Sequence, residues 1–196
     1  MGKPAVPTPK RVRELPELAK DNSLSYLNDD GSKTDVVSLD RVNYKDASGR
    51  FQPIDSTVVV GSDGVLTNRA DSWRYRFRDV ASGGVEISTA AGSVFSFTPR
   101  GGDVGVKPVL VGDHTVLYSS VWPGVDVRYT VSASGLKEDL VLANAKAGGR
   151  HEFVLEPPRV LCSLDFVAFG PRARRLSTWD VHRSTHRSCV VERSRR

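Results

Sequence analysis

Residues 118–142 read YSSVWPGVDVRYTVSASGLKEDLVL, and the fold class turns on this stretch. Trp122-Pro123-Gly124-Val125 places proline where a turn wants φ of about −65° and glycine where a type II turn wants positive φ. Val125, Val127, Tyr129 and Val131 then alternate with Asp126, Arg128 and Thr130, the period of a half-buried strand. Ser134-Gly135 fits a two-residue hairpin loop. That loop predicts Val131 opposite Glu138, Tyr129 opposite Leu140, and Val127 opposite Leu142. The last two pairs are apolar on apolar, as a core-facing register requires.

The same signals recur on the N-terminal side. Short apolar runs are separated by Asn28-Asp29-Asp30-Gly31, Asp46-Ala47-Ser48-Gly49, Gly61-Ser62-Asp63-Gly64, Ala90-Ala91-Gly92 and Gly112-Asp113. Trp73, Tyr75 and Phe77 alternate with Arg74, Arg76 and Arg78, a two-faced strand. His151 to Leu155 gives one more strand beyond the hairpin. Turn signals about every 8–12 residues with no long 3.6-residue period predict an all-β fold, an antiparallel β-sandwich or open barrel of short hairpins.

Composition divides the chain in three. Residues 1–20 carry Pro4, Pro7, Pro9 and Pro16 among Lys and Arg and read as a linker, with a short helical turn in Glu14–Lys20. Residues 21–158 read as the all-β module, and residues 159–196 as a basic tail. Residues 1–158 hold 19 Lys+Arg against 20 Asp+Glu, whereas 159–196 hold nine Arg and three acids. The net charge of +5 therefore belongs to the tail. Both cysteines, Cys162 and Cys189, lie there too, so the module is predicted to need no disulfide. The N-terminus lacks the apolar stretch of a signal peptide, and no apolar run is long enough for a transmembrane helix.

Candidate chemistry is sparse. Asn28-Asp29-Asp30-Gly31 suggests a calcium loop, but Gly31 at the sixth position would make Tyr26 the first ligand, so the stretch reads as a turn. Asp126, Glu138 and Asp139 could be cast as a glycosidase carboxylate pair. The predicted register instead sets Asp139 opposite Thr130 and diagonal to Arg128, an ion pair, and leaves Glu138 on the apolar face. No nucleophile elbow, phosphate loop or HExxH motif occurs. No catalytic, cofactor-binding or metal residues are assigned, and no cofactor is expected. In the tail, His182 and His186 have zinc-like spacing, but Cys162 and Cys189 form no Cys-x2-Cys pair. Nine arginines could neutralise phosphates, yet only Phe166, Phe169 and Trp179 are available to stack on bases. Nucleic acid is thus a disfavoured partner. The switch to Arg alone, with new Cys, His and Ser, reads as a disordered or frameshifted, non-native end.

Several stretches together resemble the N-terminal region of secreted bacterial wall-associated proteins of the Rhs/YD-repeat type, a group that includes polymorphic toxins. They are Arg13–Leu18, Ser25–Gly31, Val42–Asp46, Phe51–Asp55, Tyr118 with Val121–Tyr129, and Gly135–Leu142. The resemblance covers about residues 12–156 and implies an extracellular, cell-wall location. It also implies further β domains downstream, often of the DNRLRE type, then cargo-encasing repeats and a C-terminal toxin that carries any enzymatic activity. No position here matches a catalytic residue of that family. The expectation is a non-catalytic structural or interaction module, truncated at the composition break. Wall glycan and neighbouring β domains are its expected partners. A carbohydrate-binding β-sandwich module at the cell wall is one alternative, with Trp73, Trp122 and Trp179 as stacking platforms; nucleic-acid binding through the basic tail is another.

Overall fold

The computed structural model describes residues 8–90, 92–103, 105–147 and 149–156, together with 178–183 and 189–194 as backbone strands. Among these residues the regular structure is β, with three 3-10 turns and antiparallel pairing throughout. Among the described residues, no helix is long and apolar enough to cross a membrane. The single module expected over 21–158 is instead two compact units. One comprises the described residues up to Asp55 with Ala70–Ser72; the other comprises Ser56–Arg69 with the described residues from Trp73 onward.

The first unit holds a three-stranded sheet of β1 (Arg11–Glu14), β2 (Ser23–Asn28) and β3 (Lys33–Val37), and a ribbon of β4 (Asn43–Lys45) and β5 (Phe51–Pro53). Part of the stretch read as a linker, Arg11–Leu18, carries regular structure; residues 1–7 lie outside the described residues. Arg11–Glu14 pairs with β2, and a 3-10 turn follows at Pro16–Leu18. All four β1 side chains are exposed. The strand is held by its main-chain ladder and by the Arg11 guanidinium, 4.8 Å from the centre of the Tyr26 ring, with little contribution from apolar burial. Leu15 is the buried anchor, its N–H bonded to Ser25 O at 2.8 Å.

The second unit is a two-sheet sandwich. Its larger sheet contains β6 (Asp55–Val60), β7 (Leu66–Ala70), β8 (Trp73–Phe77), β9 (Val85–Thr89), β10 (Val94–Arg100), β15 (His151–Glu156), β17 (Cys189–Ser194) and β16 (Thr178–Arg183), in that spatial order. The smaller sheet is the meander β11 (Pro108–Val111), β12 (Thr115–Trp122), β13 (Val125–Ser132) and β14 (Gly135–Leu142). Tyr75, Phe77, Val85 and Phe153 of the first sheet meet Val116, Tyr118, Val127 and Tyr129 of the second in one buried cluster. Phe77 lies 5.8 Å from Tyr129, ring centre to ring centre, and Trp122 lies 5.5 Å from Phe153. The alternation read from Val125 to Val131 is real, since each of those four valine or tyrosine side chains is buried.

The hairpin register differs from the expected one. Val131 faces Leu136, Tyr129 faces Glu138 and Val127 faces Leu140. The loop is Ala133-Ser134, closed by the Ser132–Gly135 pair; Ser132 Oγ donates to Gly135 O at 3.1 Å and lies 2.9 Å from Ser134 Oγ. Gly135 is thereby drawn into β14, at φ +135°. A shift of two residues preserves every side chain's face, so the core was read correctly through a wrong pairing. The Trp122–Val125 corner is as expected, with Gly124 at φ +71°. In the tail, Thr178–Arg183 and Cys189–Ser194 form the pair β16–β17 against β15. The rest of the stretch read as disordered or frameshifted lies outside the described residues.

Candidate functional site

The carboxylates singled out in the hairpin each have a structural task. Ser120 sits at φ +56°, a conformation costly for a residue with a Cβ, where β12 slips register against β13. Its N–H donates to Asp126 Oδ1 at 2.7 Å, so Asp126 clamps the bulge. Asp139 stands directly opposite Arg128 and pairs with Arg128 at 3.1 Å and Lys137 at 3.0 Å. Burial pushes its pKa up, but the hydrogen bonds and charges of Lys137 and Arg128 outweigh it and hold the carboxyl below the usual range. Glu138 lies on the core face opposite Tyr129, with both oxygens buried. Burial first, then the charge of Glu138, pushes the Tyr129 phenol well above its ordinary pKa. Tyr118, raised mainly by burial, donates to Arg78 O at 2.6 Å.

The Asn28–Gly31 stretch is a turn. Gly31 N–H donates to Asn28 O and Ser32 N–H to Asp30 Oδ1. Trp122 is 8% exposed with its indole N–H on Arg100 O at 3.1 Å, which removes it as a stacking platform. Trp73 is 37% exposed and meets Phe95 edge-on at 6.2 Å. Cys162, Phe166, Phe169 and His186 lie outside the described residues. Of His182, Cys189 and Trp179 only the backbone is described, within β16 and β17. Among the described residues, no three His, Cys, Asp or Glu side chains gather to hold a metal ion.

A different set of side chains is brought together on the outer face of the larger sheet. Pairing places Arg76 opposite Glu86, Glu86 opposite Ser96, and Ser96 opposite Glu156. This row crosses β8, β9, β10 and β15. Arg76 bonds to Asp63 at 2.5 Å and lies 3.7 Å from Glu86. Arg78 also pairs with Glu86, and Ser96 Oγ donates to Glu156 Oε2 at 3.1 Å. The Arg76 hydrogen bond, aided by Val65 N–H, lowers the Asp63 pKa. Beside the row lies an open cleft of about 640 Å³ lined by Arg78, Glu86, Ser96, Thr98 and Glu156, with Ser82-Gly83 as its rim. Gly84 at φ +60° lets that rim close onto β10, since a Cβ there would collide with Phe97 O.

The cleft offers carboxylates, hydroxyls and one guanidinium beside the apolar Val94, Phe95 and Val154, a mixed surface. Among the described residues no histidine or cysteine lines it, and Glu86 is already bound between two arginines. Sequence reasoning identified the Arg74-Arg76-Arg78 face but missed the row, whose members come from four strands. Comparison with family models, with curated proteins and with solved structures found no match.

Proposed function

We propose that this chain is a non-catalytic structural and interaction module, from the N-terminal part of a secreted cell-wall-associated or toxin-delivery protein of the Rhs/YD-repeat type. The observation that carries the non-catalytic part is the disposition of the hairpin carboxylates. Asp126 clamps a bulge, Asp139 is bridged by two cations, and Glu138 is buried beneath the smaller sheet. A glycosidase needs two carboxyls facing one sugar across an open site; Asp126 and Asp139 share the outer face but are engaged by Ser120 N–H and by two cations, and Glu138 faces the core. The wall-associated part rests on the resemblance of the stretches between Arg13 and Leu142. The test is incubation of the full chain with purified cell-wall sacculi. The expected result is sedimentation with the sacculi and no release of soluble glycan. Release that is lost in Glu138→Gln or Asp139→Asn would overturn the reading.

Trp73 keeps a second reading open, that of a glycan-binding module, because it is a half-exposed indole beside Phe95. Stacking of a sugar on an aromatic face contributes on the order of 1 kcal/mol. Under this reading Trp73→Ala weakens retention on sacculi about fivefold. Unchanged retention assigns binding to other surfaces.

A further inference from the structure

We draw no further inference here: the strongest candidate, the open cleft on the outer face of the larger sheet lined by Arg78, Glu86, Ser96 and Glu156, is a mixed surface whose charged groups are bonded within the row, and nothing in the structure shows what covers it.

Discussion

The two compact units hold themselves together with different chemistry. In the second unit the interior is aromatic and aliphatic: Phe77, Val85, Val116, Val125, Val127 and Phe153 are wholly buried, and Phe97 stacks on Phe153 at 4.5 Å. In the first unit Leu15 is buried beside Ser23, Ser25, Asn28 and Asn43. Those polar groups are satisfied locally. Ser25 Oγ donates to Asp35 at 2.6 Å, and the Asn28 amide donates to Ser32 and Thr34 hydroxyls. Asn43 Nδ2 reaches Lys20 O at 2.7 Å and Ser23 O at 3.1 Å. Hydrogen bonds net only about 1 kcal/mol each, but an orphaned buried partner costs more. The first unit is therefore ordered by bond geometry, whereas the second is ordered by packing.

Breaking the packing has the largest expected effect. Phe153→Ala removes the ring between Phe97 and Trp122 and leaves a cavity, so it destabilises the second unit by about 3–5 kcal/mol. Urea unfolding monitored by tryptophan fluorescence reads this, and a loss below about 1 kcal/mol would mean the sandwich core is not as described. Breaking the bond geometry comes next. Asn43→Ala removes two side-chain bonds to the Lys20 and Ser23 carbonyls, which keep their backbone partners, and costs about 1–2 kcal/mol, seen as faster hydrogen exchange of the Ser23, Val42 and Asn43 amides. Unchanged exchange would show that Leu15, and not the asparagine, organises this unit.

How much of this could be read in advance follows the same division. The second unit's strands were legible because alternation from Val125 to Val131 and the Pro123-Gly124 corner encode period and turn locally. The hairpin's register was not, since Ser132-Ala133-Ser134-Gly135 contains two possible two-residue loops that local turn chemistry does not distinguish. β1 was illegible because Arg11-Val12-Arg13-Glu14 buries nothing, and a strand made by its ladder has no hydrophobic pattern to show. The division into units depends on Ala70–Ser72 returning to the first unit, where Arg41 meets Asp71 at 3.2 Å, a pairing 30 residues apart in sequence. The outer-face row needs three registers at once before Arg76, Glu86, Ser96 and Glu156 can be aligned.

A smaller effect tests the bulge within the packed unit. Asp126→Ala removes the acceptor that holds Ser120 N–H at φ +56° and costs about 1–2 kcal/mol. If strain at Ser120 is the reason, Ser120→Gly added to Asp126→Ala recovers part of the loss, because glycine adopts positive φ freely. Equal stability of the single and double variants would assign the cost to the lost bond alone.

Acid separates the two units with the smallest expected changes. His151 packs against Trp122 at 4.8 Å, and burial holds its pKa below the ordinary 6.5 despite a hydrogen bond to the Ala147 carbonyl. The folded second unit therefore binds fewer protons than its unfolded chain just below pH 6.5. Its stability falls as the pH drops through that window and levels off once the folded histidine is itself protonated. In the first unit Asp46 accepts from Ser48 Oγ, Gln52 and the Ser48 and Arg50 amides, and its pKa is lowered to about 2. That contribution is complete above the ordinary 3.8 and is lost only as the pH falls toward 2. Hydrogen exchange at pH 7, 5.5 and 4.5 should thus loosen β15 while leaving the Asp46–Arg50 loop protected. His151→Gln should flatten the response of β15, and a response that survives the substitution would place the titrating group elsewhere in the sandwich.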